Sequence, residues 1–189
     1  IGAGPAGLAA GEAAALGGCR VTLLDERPEA GGQYFKQLAP SQRFARPAAM
    51  DKQFAAGRAL IKRVRGLGVE TIGGATVWNA TWCGEVGVRV DVIRGGRALR
   101  YRPAQLIVAS GAYERPLPVP GWTLPGFMTT GAAQTLARAY RVAPGSRVLI
   151  AGNGPLNLQV AYELARGGVR VVAVAEAAPA PGVARLAAV

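Results

Sequence analysis

The stretch Ile1-Gly2-Ala3-Gly4-Pro5-Ala6-Gly7-Leu8-Ala9-Ala10 opens the chain, and its continuation to Asp25 decides the fold. Ile1 reads as the last residue of a strand. Glycines at 2, 4 and 7 follow, and then an Ala-rich helix through about Leu16 that ends at Gly17-Gly18. Arg20-Val21-Thr22-Leu23-Leu24-Asp25 is the next strand, so a helical pattern gives way to a buried apolar run within 25 residues. This is the opening of a βαβ unit.

The glycine spacing is Gly-x-Gly-x-x-Gly, placed after a strand and opening a helix. Gly2 allows the tight turn, and Gly4 lets a pyrophosphate approach backbone amides with no Cβ in the way. Gly7 allows close packing of helix on strand, while the helix N-terminus stabilises phosphate charge. Asp25 lies 23 residues after Gly2, where a carboxylate can accept both hydroxyls of an adenosine ribose. Glu26 is its adjacent competitor, because a strand end is uncertain by one residue. The bland alternative is a Gly-rich turn with a capping acid. Gly31-Gly32-Gln33 permits a second close backbone approach, or is a plain surface turn.

Further along, Pro28 to Pro47 reads as a loop-rich crossing, and Met50 to Gly66 as a helix. That helix carries Phe54, Leu60, Ile61, Val64 and Leu67 on one stripe and Arg58, Lys62 and Arg65 on a solvated one. Short β-like segments follow at Val69–Ile72, Ala75–Trp82, Val86–Ile93 and Ala98–Arg102, with Gly95-Gly96 as a hairpin signal. They predict a small antiparallel meander inserted into a parallel sheet. Leu106-Ile107-Val108-Ala109 reads as a buried strand ending in Ser110-Gly111-Ala112. Tyr113, Glu114 and Arg115 lie just past it, where such sheets bind ligands. Pro116 to Pro125 holds four prolines and reads as a linker, and Thr129 to Tyr140 as a helix.

An internal repeat settles the architecture. IAGNGPLNLQ from Ile150 repeats the pattern of IGAGPAGLAA, with Gly152 standing 150 residues after Gly2. The second unit has Gly152 and Gly154, but Asn157 replaces the third glycine. Glu176 is its acid, 24 residues on, with Ala175 at the position corresponding to Asp25. If Glu176 meets the ribose it favours NAD over NADP, since a carboxylate repels a 2′-phosphate. Either the second helix stands off its strand, or the Asn157 side chain finds a polar partner. The expected fold is α/β: a doubly wound Rossmann-like parallel sheet with an inserted antiparallel meander, followed by a second partial Rossmann-like unit. The expected domains are 1–115, a linker and helix at 116–144, and 145–189.

Composition excludes several classes. Among 189 residues, 27 are Gly and 13 Pro, yet half are hydrophobic and 17% charged, so neither collagen nor disorder fits. No run of about 18 uncharged apolar residues spans a membrane. Cys19 and Cys83 are too few for a disulfide framework and too isolated for zinc. Both read as packing or surface residues. With no His, Ser-His-Asp and Cys-His catalysis and His-ligated metals are excluded from this stretch. The net charge of +11 admits nucleic acid, an acidic partner or a phosphate-rich cofactor. Aromatics at 6%, without a basic-aromatic stripe, tell against nucleic acid. The ends read as those of an internal piece of a longer, cytoplasmic protein.

These residues resemble the two-dinucleotide-binding-domain flavoproteins of the pyridine-nucleotide oxidoreductase type. LIVASGAYERPLPVPG from Leu106 looks like that group's Ala-Thr-Gly segment beside the flavin nucleotide, with Ser110 in place of Thr. LLDE at Leu23 to Glu26, the Gly31-Gly32-Gln33 turn and GWTLPGFMTTGAAQ at Gly121 to Gln134 narrow the likeness. They are similar to flavin subunits of heteromeric opine oxidases, sarcosine oxidase, dye-linked proline dehydrogenase and hydrogen cyanide synthase. The resemblance implies FAD at Gly2, Gly4, Gly7, Asp25 or Glu26, Gly32, Gln33, Ser110 and Gly111. It implies a nicotinamide dinucleotide, NAD, at Gly152, Gly154 and Glu176. It further implies oxidation of an amine or imino acid (opine-, sarcosine-, proline- or glycine-like) with a second subunit. No Cys-x-x-Cys or Cys-x₄-Cys is present, so this stretch has no pair for disulfide-reductase chemistry. Two other readings stay open: an NAD(P)H-dependent flavin reductase, and a structural protein that retains nucleotide only to hold its shape.

Overall fold

The computed structural model describes residues 1–42, 52–152 and 154–176. The chain divides into two compact units, Ile1–Tyr113 and Glu114–Val189.

In the first unit, α1 spans Pro5–Leu16 with proline at its start, where a missing N–H removes no helical bond. It stops at Gly17-Gly18; Gly18 takes φ +82°, and the amides of Gly17, Gly18 and Cys19 return to the last carbonyls of the helix. β1, Thr22–Leu24, pairs in parallel with β2, Glu70–Ile72. Between them runs α2, Lys52–Gly66, which buries Phe54, Gly57, Leu60, Ile61 and Val64. Arg58, Lys62 and Arg65 face outward, as the stripe pattern requires. Leu67 does not join the buried stripe: it lies past the end of α2 and is 40% exposed. The expected helix start at Met50 and the end of the preceding loop lie outside the described residues. Ala3, Leu8, Leu23, Leu60, Ile61, Val64 and Val69 form one core between α1, α2 and the parallel pair.

The meander consists of β3 (Ala75–Trp82), β4 (Val88–Arg94) and β5 (Arg97–Tyr101), antiparallel throughout. Gly95 and Gly96 connect the last two at φ +55° and +74°, the paired positive values a two-residue hairpin needs. Two expectations change here. The 69–72 segment belongs to the parallel pair, because β2 follows α2 as the return strand of the βαβ crossover. Residues 106–109 form no regular strand and Ile107 and Val108 are exposed; among the described residues only Ile1 runs alongside, contributing two hydrogen bonds.

In the second unit, α3 (Thr130–Thr135) is capped by the Thr129 hydroxyl, which accepts from the Ala132 amide, and continues into a π-helical turn, Leu136–Tyr140. β6 (Arg147–Ala151), α4 (Pro155–Arg166) and β7 (Arg170–Ala175) repeat the strand–loop–helix–strand order, with β6 and β7 parallel. Val160, Leu164 and Val169 are its core, and Glu163 on α4 pairs with Arg138 of the π turn at 3.0 Å. The result is the expected α/β fold with an inserted meander and a second Rossmann-like unit.

Candidate functional site

The first glycine loop is shaped by close backbone contact. Gly2 takes φ +94°, its amide donates to Leu24 O at 2.7 Å, and a Cβ there would lie 2.3 Å from Ala109 O. A Cβ on Gly7 would lie 1.8 Å from Gly2 O. Both glycines are therefore demanded by the protein itself. Gly4 differs: its Cβ would meet nothing nearer than Gly32 Cα at 3.7 Å, so the protein alone would tolerate a side chain. Gly32, at φ +62°, approaches Gly4 from the other side, with its own Cβ position only 2.8 Å from Gly4 Cα. Two bare stretches of backbone thus face each other. α1 begins here with no side-chain cap. Its first amides point outward with the positive end of the helix dipole, an arrangement that suits phosphate oxygens.

The two acids at the end of β1 divide. Asp25 is buried, its Oδ2 accepting from the Ala3 amide at 2.6 Å and its Oδ1 from the Arg27 amide at 2.8 Å. Both of its oxygens are thus engaged in holding the glycine loop and the turn beyond it. Glu26 is exposed, and its Oε1 accepts from the Tyr113 hydroxyl. Ser110 follows Ala109, whose amide donates to Ile1 O at 2.8 Å, and its Cα lies beside Gly2, with Gly111 next in the chain. Gly111 at φ +75° then turns the chain toward Tyr113. Gln33 stands after the second glycine pair, its Oε1 accepting from Lys36 Nζ at 3.0 Å.

The second loop reaches a matching turn. Gly152 takes φ +102°, its amide donates to Ala175 O at 2.6 Å, and α4 starts at Pro155, again without a side-chain cap. Asn157 does find polar partners. Its Nδ2 donates to Ala151 O at 3.2 Å, and its Oδ1 accepts from Thr130 Oγ1 at 2.6 Å. Ala151 O corresponds to Ile1 O of the first unit, which there accepts from Ala109. The Asn157 amide therefore satisfies a carbonyl that the first unit satisfies with a neighbouring segment.

One correspondence is corrected. Ala175 does not take the place of Asp25, because β7 carries a bulge: pairing steps from Val148↔Val171 to Leu149↔Ala173. The extra residue moves Ala175 into the role of Leu24, whose carbonyl accepts from the first glycine, and Glu176 into that of Asp25. The acid spacing of 24 rather than 23 residues is this bulge. Residues 153 and 177–189 lie outside the described residues.

Glu114 serves the second unit, its Oε1 accepting from the Gly131 amide at 2.7 Å, and Arg115 is exposed. Thr130, as the partner of Asn157, was not foreseeable, since 27 residues separate them with no motif between. Among the described residues, no group of three or more His, Cys, Asp or Glu could hold a metal, and no helix is long and apolar enough to cross a membrane.

Residues 1–186 match the family described as pyridine nucleotide-disulphide oxidoreductase. The chain is 37% identical over 185 residues to an opine oxidase subunit from Agrobacterium tumefaciens, covering 96% of this chain and 37% of that protein. It is 35% identical over 190 residues to hydrogen cyanide synthase subunit HcnB of Pseudomonas protegens, covering 94% of this chain and 37% of that protein. It thus spans little more than a third of either relative. Among solved structures, L-proline dehydrogenase from P. horikoshii superposes with a TM-score of 0.75 at 21% identity, covering 96% of this chain and 36% of that one, a likeness of fold. With nearly its whole length matched, the chain belongs to the pyridine nucleotide-disulphide oxidoreductase family.

Proposed function

We propose that the first unit binds FAD, and that the protein is the flavin-binding component of an oxidoreductase that oxidises an amine or imino acid together with a second subunit. The observation that carries this reading is the uncapped start of α1 set against the bare pair Gly4 and Gly32, with two acids at the end of β1. The amides of the first helical turn hold the pyrophosphate, and Gly4 and Gly32 let it lie close. Asp25, whose carboxylate holds the loop through the Ala3 and Arg27 amides, has acceptor sites left for the ribose hydroxyls, with Glu26 exposed beside it at the strand end as the alternative acceptor. Ser110, beside Gly2, and Gly111 after it extend the same site. Bound flavin supplies the hydride and electron chemistry. The chain's residues then need only bind and orient, consistent with a sequence that has no His and no redox cysteine pair. The names of the relatives, subunits of opine oxidase and of hydrogen cyanide synthase, support the substrate class and the partner.

A second reading, an NAD(P)H-dependent flavin reductase, is favoured by the second loop, which keeps the positive-φ glycine and uncapped helix of the first. Glu176, in the place of Asp25, directs that site toward NAD. The test uses the full-length protein. A yellow protein whose visible spectrum is that of FAD, and which is bleached anaerobically by an amine substrate, is the expected result. Bleaching by NADH alone would favour the reductase, and a colourless protein that takes up no FAD would overturn both.

A further inference from the structure

We propose that Thr130 is a positioning residue for the second nucleotide loop: its hydroxyl holds the Asn157 carboxamide away from the open end of α4 and so keeps that end free for a dinucleotide. The inference rests on the reading of the second loop as an NAD site and adds a residue that no glycine motif contains.

α4 begins at Pro155 with no side-chain cap, so the amides of its first turn are the donors a pyrophosphate meets. Asn157 stands in that same turn, at the third helical position. An asparagine there is a competitor of the phosphate, because its short side chain bonds readily to backbone amides nearby and can reach back toward the start of the helix. Its acceptor is engaged elsewhere. Asn157 Oδ1 accepts from Thr130 Oγ1 at 2.6 Å, and Nδ2 donates to Ala151 O at 3.2 Å. The carboxamide is thereby drawn against Gly152, where a Cβ would stand 2.6 Å from Nδ2. Both ends of the amide are bonded, and the Thr130 hydroxyl fixes which end faces which way.

The place of Thr130 is set by the helix it begins. Thr129 caps α3 by accepting from the Ala132 amide at 3.3 Å, and Glu114 Oε1 accepts from the Gly131 amide at 2.7 Å. Farther along, Gln134 is 5% exposed and donates to Glu163 Oε2 at 3.3 Å, and Arg138 donates to the same oxygen at 3.1 Å. Gln159 donates to Glu163 Oε1 at 2.7 Å. Glu163 lies on α4, so α3 is anchored to the helix that carries Asn157. The first unit needs no such hold, since Gly7 has no side chain to restrain.

The experiment measures binding of ADP-ribose by calorimetry to the full-length protein saturated with FAD, so that the first site is filled. Wild type should bind it. Thr130→Val keeps the shape of the side chain and loses the hydroxyl. Its affinity should fall about 3- to 10-fold with the stoichiometry unchanged, the loss expected for one hydrogen bond. Thr130→Ser, which restores the hydroxyl, should recover wild-type affinity. In an Asn157→Ala background, Thr130→Val should change the affinity little, because the side chain it restrained is gone. Unaltered affinity in Thr130→Val, lowered stoichiometry alone, or equal weakening by Val and Ser would overturn the positioning role and leave the NAD site standing. A wild-type protein that binds no ADP-ribose would overturn the site and the inference with it.

Discussion

In the first glycine loop a Cβ on Gly7 would lie 1.8 Å from Gly2 O, whereas in the second the same position holds Asn157. Both loops nevertheless begin with a glycine in the left-handed region, at φ +94° and +102°, bonded to the end of the following strand. The turn therefore belongs to the first glycine. The third position only has to close the space between helix and strand, and there are two ways to do so. Bare backbone closes it in the first unit. An amide closes it in the second, donating to Ala151 O and accepting from Thr130. The price of the second solution is a dependence on α3, since half of the Asn157 contact comes from Thr130 at its start.

The sharpest way to break the comparison is to place an alanine at each third position. Gly7→Ala should cost more than about 4 kcal/mol, because the contact it creates is with backbone that cannot yield. The expected outcome is loss of folded, flavin-loaded protein, read by yield and visible absorbance. Asp25→Ala should follow, at roughly 2–4 kcal/mol, since it strips acceptors from the Ala3 and Arg27 amides at the buried end of β1. Thermal unfolding checks the stability, and an unchanged melting temperature would deny Asp25 its loop-holding role. Asn157→Ala should be milder, about 1–2 kcal/mol, because it removes two hydrogen bonds near solvent and creates no clash. If Asn157→Ala proved as damaging as Gly7→Ala, the two positions would be equivalent after all.

The smallest effect separates the regions by acid. Asp91, in the meander of the first unit only, accepts from Arg100 at 2.8 Å and from Asn79 and Arg89 at 3.0 Å. The Arg100 and Asn79 hydrogen bonds, with Arg89 adding its charge, bring its carboxyl down to about 2. A depressed carboxyl contributes stability that is present above its unfolded value, near ~4, and is lost as pH falls through its folded value. Wild type should therefore weaken between about pH 4 and pH 2, and Asp91→Asn should flatten that limb of an acid titration followed by circular dichroism.

Much of the site was legible because its chemistry is local. Gly2, Gly4 and Gly7 lie within six residues of one another, and two of them answer a demand made inside the same turn: Gly2 through its positive φ and Gly7 through its contact with Gly2 O. Asp25 was found by counting to the end of a strand, and so was Glu26, but their different duties were not readable: which carboxylate meets an amide depends on Ala3, 22 residues back. The meander was legible from alternation and from Gly95-Gly96. Its first expected member was misplaced because three residues, Glu70–Ile72, carry no alternation that separates a parallel partner from an antiparallel one. The bulge in β7 was equally hidden, since an extra valine in Arg170-Val171-Val172-Ala173 looks like any other.

The sequence by itself determined the two nucleotide-binding turns and their order, because positive φ and close backbone approach are demands that only glycine meets cheaply. Tertiary structure decided what surrounds them: that Asp25 points inward and Glu26 outward, that Tyr113 returns to Glu26, and that Asn157 finds Thr130. Those outcomes depend on contacts between residues from 22 to 87 positions apart. No local propensity encodes such pairings; they arise when elements pack and buried polar groups must find partners.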